Sequence, residues 1–296
     1  MTTASEFRLD RAAVLRSFGR ASAQYHDAAH LQSAVGAELL ARLQYFPLEP
    51  RVILDLGAGT GRGAAALRAR FPRTRVLAVD PVYAMMQEAR RRQRFWRRYD
   101  CICADGCAMP FAAHSVDLVY CNLMLQWCAA PATLFQELQR VLRPGGLLLF
   151  SSFGPATLQE LRGAWASVDA HSHVSAFTDM PELGAALMKA GMTEPVMDRE
   201  LQVRHYADVY ALMNELRAIG ARHAATDRRR SLTGRHRLQA MAAAYESLRH
   251  AAGLPASWEI ICGAAFAGQS HPGTTEASAA GSETAIALSA VRRHPR

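Results

Sequence analysis

The chain has 296 residues, half of them apolar, which suffices for one sizeable core with additions or for two small domains. Its formal net charge is +8, and no apolar run approaches the roughly 20 residues of a membrane span. The N-terminus lacks the apolar stretch of a secretory signal, and Glu6 and Asp10 oppose a transit-peptide reading, so the expected compartment is the cytoplasm.

Residues 10–44 read as helical, with Leu15, Phe18, Leu31, Val35, Leu39, Leu40 and Leu43 forming an interrupted apolar stripe that closes at Pro47 and Pro50. A buried-type strand, Val52–Leu56, then breaks into glycines. Helix follows through "RGAAALRARF", ending near Pro72. "RVLAVD" (75–80) reads as a second strand and "AMMQEARRR" as helix. "YDCICAD" (99–105) is a third extended segment and "VDLVYCNL" (116–123) a fourth strand. "PATLFQELQRVL" is a helix stopped by Pro144-Gly145-Gly146, and "LLLFSSF" is the fifth strand.

Beyond Phe153 the alternation changes. Residues 155–191 read as mostly helical, "PVMDRELQVRHY" as a sixth strand, 207–250 as a long Arg- and Ala-rich helical region, and "SWEIICGAAF" (257–266) as the last strand. The Ser-, Thr-, Ala- and Gly-rich end predicts a disordered tail. The expected organisation is a helical segment at 1–50, a core at 51–205, a helical insertion at 206–256, a last strand at 257–267 and a tail at 268–296. Strands alternating with helices at this spacing mean a parallel α/β sheet with right-handed crossovers.

Six cysteines, at 101, 103, 107, 121, 128 and 262, lack paired C-x-x-C spacing and a matching histidine cluster, so they predict buried free thiols and no metal. The histidine pair His171 and His173 has no further ligands beside it. Lys189 is the only lysine, so the positive charge is almost all arginine, concentrated in "RRRQRFWRR" (90–98) and "RRRSLTGRHR" (228–237). Such blocks suit an acidic partner or a solvated helix face. No zinc finger, KH loop or RNP motif supports nucleic acid as that partner.

The chemistry gathers at D-x-G-x-G-x-G: Asp55, Gly57, Gly59 and Gly61. Glycines let a backbone approach a ligand closely. A dinucleotide fingerprint would place glycine at 62, where the chain has Arg62, and Asp55 would repel a pyrophosphate while welcoming an ammonium group. Asp80 ends the second strand and can accept two ribose hydroxyls, and Asp105, followed by Gly106, can accept from an adenine amino group. An amine, a ribose and an adenine without phosphate describe S-adenosylmethionine (SAM).

With these residues and "RVLRPGGLLLF", residues 50–153 resemble the class I, Rossmann-like SAM-dependent methyltransferases. That resemblance implies an α/β fold with a mostly parallel seven-stranded sheet, an N-terminal helical cover and a helical insertion before the last strand. It also places Met85 and Asn122 among the cofactor-binding residues. "RSFGRASAQYHDAAHLQ", "NLMLQWC", "SSFGPATLQELR", "HVSAFTDMPELGAALMKAGM" and "SLTGRHRLQAMAAAYESLR" resemble the malonyl-[acyl-carrier-protein] O-methyltransferase family of biotin synthesis.

What this resemblance implies is methyl transfer from SAM, without metal, to the free carboxylate of a malonyl thioester on acyl carrier protein or CoA. The implied protein is a monomer acting on acyl carrier protein, with neither nucleic acid nor membrane as partner. The candidate acceptor-site residues are Tyr25, Gln126, Trp127, Ser151, Phe153 and Arg162. Trp127 and Phe153 would form walls, and Tyr25 or Arg162 would orient the carboxylate. Two other readings stay open: methylation of another small acid or quinone precursor, and an arginine-modifying respiratory-complex assembly factor of the same fold.

Overall fold

The computed structural model describes residues 9–221, 224 and 234–268, so the tail from 269 and most of the second arginine block lie outside the described residues. Its seven strands are β1 (Val52–Leu56), β2 (Arg75–Val79), β3 (Asp100–Ile102), β4 (Val116–Cys121), β5 (Leu142–Phe153), β6 (Met192–Tyr206) and β7 (Leu254–Ala267). They form one sheet in the order β3-β2-β1-β4-β5-β7-β6. Only β7 runs antiparallel to its neighbours, β5 and β6. The mostly parallel seven-stranded sheet expected from the sequence is therefore present.

The parallel strands read as continuous apolar runs because helices cover both faces. Ile53, Ala78, Leu118 and Leu149 face one buried cluster, and Leu54, Val79, Val119 and Phe150 face the other. Helices α1 (Arg11–Ala28) and α2 (His30–Ala41) precede the sheet, and α3 (Arg62–Arg70), α4 (Tyr83–Arg92) and α5 (Pro131–Val141) connect its parallel strands. Helices α6 (Gln159–Ala166) and α7 (Met180–Lys189) follow β5, while α8 (Val209–Ala218) and α9 (Arg235–Glu246) lie between β6 and β7. Side-chain caps start several of them: Asp10 accepts from the Ala13 amide at 2.9 Å, and Asp208 from the Ala211 amide at 2.8 Å.

Three expectations need correction. Residues 167–179 are not helical. There Asp169 accepts from the His171 amide at 3.0 Å, a local side-chain bond that competes with helix, and Asp179 followed by Pro181 starts α7 afresh. Helix α5 ends at Val141, before the Pro-Gly-Gly turn, and Leu142 already pairs with Val116. The turn is absorbed as a register shift within β5, with Gly145 at φ 75°. The last strand begins at Leu254, so the insertion between β6 and β7 is shorter than expected.

The chain runs β1, β2, β3 outward in one direction, then returns to β4 on the other side of β1. That reversal opens a crevice at the carboxyl ends of β1 and β4, where ligands bind in open α/β sheets. Helix α1 packs against α4 and α8 over this crevice.

Candidate active site

A cavity of about 360 Å³ occupies the crevice. Its floor is the turn after β1. There the amides of Gly57 and Ala58 donate to the Val79 carbonyl at 2.8 and 3.0 Å, pinning the turn to β2. Gly57 and Gly59 line the cavity with φ of 72° and 52°. A side chain on Gly57 would place its Cβ 2.4 Å from Met124 Cγ, so glycine is required there twice over. Gly61, expected to hold cofactor, does not line the cavity. Its φ of 80° and the Tyr99 hydroxyl, 2.1 Å from a would-be Cβ, make it a packing glycine.

Three carboxylates stand around the turn. Asp80 Oδ2 accepts from the Gly59 amide at 3.0 Å and Oδ1 from the Val82 amide at 2.8 Å. Burial nevertheless raises its pKa to about 6. Asp55 is buried more deeply, and loss of water, reinforced by nearby Asp80, raises its pKa to about 7. Its Oδ2 has no hydrogen-bond partner. Asp55 faces a smaller adjoining cavity of about 310 Å³, and Tyr25, Gln32, Gly57, Gly59 and Asn122 line both spaces. Asp105 Oδ1 accepts from the Cys107 amide at 3.0 Å, while Oδ2 pairs with Arg11 at 2.6 Å. Met85 and Gly106 also line the main cavity.

Asn122 lines the cavity, but its side chain is engaged elsewhere. Its Nδ2 donates to the Gln32 carbonyl at 2.9 Å and its Oδ1 accepts from Ser151 Oγ at 2.8 Å. Ser151 is thereby a fully buried brace between β4 and β5. Gln126 Nε2 donates to the Leu123 carbonyl at 2.7 Å.

A further cavity, of about 410 Å³, adjoins the main one, and Trp127, Phe153, Leu216, Ala221 and Trp258 line both. The aromatic rings at this junction pack edge to face. Phe18 and Trp127 lie 5.1 Å apart at 85°, Phe18 and Tyr25 6.3 Å apart at 60°, and Phe153 and Phe177 5.8 Å apart at 68°. Tyr25 lines the main cavity and the smaller one that Asp55 faces. Burial, helped by Asp80, holds its hydroxyl well above the ordinary tyrosine range, so it remains a neutral phenol.

Arg162 does not reach these cavities. Its guanidinium donates to the carbonyls of Pro155 (2.9 Å), Thr157 (3.2 Å) and Ser175 (3.3 Å), latching two loops together. The first arginine block does not line these cavities either. Helix α4 starts beside cleft-lining Val82, and Ala89 near its end packs beside Gly61. Arg90–Arg92, Phe95 and Trp96 are exposed, and none of them lines the cavity.

The cysteines remain free, but only Cys121 and Cys262 are buried. No group of three or more metal-ligating side chains occurs among the described residues, and no described helix is long and apolar enough to cross a membrane.

Sequence reasoning missed Arg11, Val14, Leu15, Gln32 and Trp258 as cavity-lining residues. Arg11, Phe18 and Tyr25 are seven apart, with Val14 and Leu15 between them on the same helical face, so that spacing was an available signal.

The switch-point crevice, the glycine turn, the ordered Asp55–Asp80–Asp105 set and the helical cover define a class I SAM-dependent methyltransferase. Residues 54–150 match the methyltransferase domain family. Two solved structures share the fold. They are YcgJ of Bacillus subtilis (16% identity, TM-score 0.57, covering 79% of this chain and 99% of that one) and a SAM-dependent methyltransferase of Thermotoga maritima (16%, 0.51, 86% and 99%).

Among curated proteins, the chain is 48% identical over 265 residues to the malonyl-[acyl-carrier protein] O-methyltransferase of Xylella fastidiosa, covering 89% of this chain and 90% of that protein. It is 43% identical over 276 residues to the Methylovorus enzyme of the same name, covering 91% and 93%. It is also 41% identical over 254 residues to the biotin biosynthesis bifunctional protein BioHC of Cellvibrio japonicus, covering 85% of this chain and 49% of that protein. The chain belongs to the malonyl-[acyl-carrier protein] O-methyltransferase family.

Proposed function

We propose that the protein transfers the methyl group of SAM to the free carboxylate of a malonyl thioester carried on acyl carrier protein, the methyl ester then serving biotin synthesis. The observation that carries this reading is the aromatic junction of Phe18, Trp127, Phe153 and Trp258, with one neutral phenol, Tyr25, beside the cofactor turn. It suits a nucleophile that needs positioning more than activation.

The residues fit the cofactor. The partnerless Asp55 Oδ2 is a buried acceptor for an ammonium group, directly or through water, and Asp80 supplies carboxylate oxygens for a ribose diol. Gly57 and Gly59 leave room for close backbone approach, Met85 lends an apolar wall, and Asp105 with Gly106 borders the adenine end. Arg11, already paired with Asp105, closes that end from α1. When bound, SAM supplies an electrophilic methyl group on a sulfonium.

A malonyl carboxylate is ionised at neutral pH, so the protein need not remove a proton from it. Opposite charges cancel as the methyl moves, so a strong ion pair to the carboxylate would oppose the reaction. A single hydrogen bond from the Tyr25 hydroxyl orients the acceptor without that cost. Trp127 and Phe153 exclude water and fix the approach, and such positioning is worth several kcal/mol, on the order of those measured for intramolecular reactions. With Arg162 occupied by three carbonyls, Tyr25 is the orienting group of choice.

The test is transfer of labelled methyl from SAM to malonyl-carrier protein, malonyl-CoA and a quinol in parallel. Preferential labelling of the carrier substrate, with growth restored to a biotin-requiring strain lacking its own enzyme, supports the reading. Labelling of the quinol alone refutes it.

A further inference from the structure

The cavity beyond the aromatic junction carries a polar device that the methyl-transfer scheme leaves unused. His173 lines it, from the loop between α6 and α7. Its ring stacks on Trp165, with centroids 3.8 Å apart and planes within 11°. Its Nε2 meets Asp169 Oδ1 at 2.8 Å, and both side chains are nearly buried, at 14% and 11% exposure. Asp169 is itself fixed. It accepts from the His171 amide, lies 3.7 Å from Arg237, and its hydrogen bond to His173 draws its carboxyl down against the cost of burial.

The imidazole is therefore locked in rotation by the stack and in direction by the carboxylate. Nδ1 is the ring nitrogen left without a protein partner among the described residues. Most of the lining around it is apolar: Leu158, Leu161, Val174, Phe177 and Met213. A ring held this firmly beside an apolar cavity resembles the few oriented polar groups of ligand sites more than a solvated surface histidine.

We infer that this cavity receives the arm bearing the acyl thioester, and that His173 Nδ1 accepts a hydrogen bond from an amide N–H of that arm. The inference rests on the proposed function. The carboxylate must reach the cofactor side of the junction. At about 410 Å³ the space beyond is larger than a malonyl group needs, so it can hold the thioester and the start of its arm. In the tautomer whose Nε2–H donates to Asp169, the ring presents an acceptor at Nδ1, and an amide N–H is the donor a pantetheine-type arm offers. Asp169 acts through His173 and is a positioning residue.

The experiment compares two malonyl thioesters with the same acyl group, one of pantetheine and one of ethanethiol, which lacks an amide. The wild type should prefer the pantetheine thioester in kcat/KM. His173→Phe should shrink that preference about threefold to tenfold, the worth of one hydrogen bond, through KM and with SAM affinity unchanged. His173→Gln, whose Oε1 also accepts, should restore part of it, and Asp169→Asn should weaken it less. Equal wild-type use of both thioesters, or an undiminished preference in both His173→Phe and Asp169→Asn, overturns the inference. A wild type active on other acids but on neither thioester would instead sink the proposed function.

Discussion

On the cofactor side of the cleft, polar groups are held by backbone; on the acceptor side, rings are held by other rings. Asp80 is fixed by two main-chain amides from the elements it joins, and the glycine turn is tied to β2 through the Val79 carbonyl. Phe18, Trp127, Phe153 and Trp258 instead come from four separate segments, α1, the turn after β4, β5 and β7, and meet only through tertiary packing. The first arrangement is rigid and indifferent to the methyl acceptor. The second can change its shape with few substitutions while the cofactor half stays intact. The two halves should therefore fail differently.

The largest effect is expected from Asp80→Ala. It removes the acceptor of two amides as well as the diol contact, so SAM affinity should fall about 100-fold or more, measured by calorimetry. Next come Trp127→Ala and Tyr25→Phe, which should lower turnover about 10- to 100-fold while leaving SAM affinity within a few-fold. Wild-type turnover and acceptor affinity in both variants would remove the acceptor half from the assignment. A matching loss of cofactor affinity would erase the distinction between the halves.

The buried carboxylates give the same contrast a pH signature. Asp55 has a folded pKa of about 7 against an ordinary value of 3.8, so the unliganded folded state holds a proton that the unfolded chain releases between those values. Unliganded stability should accordingly fall as pH rises from about 4 to about 7. Cofactor binding favours the ionised carboxylate beside an ammonium group, so SAM affinity should weaken as pH drops below about 7, with protons released on binding. Asp55→Asn should raise the melting temperature of the unliganded protein at pH 8 and blunt both trends. Proton release on binding unchanged in Asp55→Asn would show that another group is responsible.

The same division explains what was legible in the sequence. Strand Val52–Leu56, the glycines and Asp80 sit within thirty residues, and the switch-point rule places them together without tertiary knowledge. The engagement of Arg162 was not legible, because nothing local reveals that the carbonyls of Pro155, Thr157 and Ser175 converge on it. Gly61 shows the converse: its motif position is that of a cofactor glycine, while its packing against Tyr99, 38 residues on, has no local signal. The His173–Asp169 pair lay in a stretch expected to be helical, where residues four apart would already be neighbours. Its loop conformation and the Trp165 stack come only from packing.

The smallest effect concerns the surface. The first arginine block suits an acidic partner by charge, and in the fold its arginines are exposed without lining the cleft. Exposed charges that do not line the site act through solvent and are screened within a Debye length of roughly 8–10 Å. Arg94→Glu with Arg97→Glu, both exposed, should therefore raise KM for the carrier substrate less than about twofold at physiological salt, with a somewhat larger change at low salt. A tenfold rise at physiological salt would mean that the carrier contacts this block directly. The carrier would then dock beside α4, and the acyl arm would enter the acceptor cavity from that side rather than from the side bordered by α8.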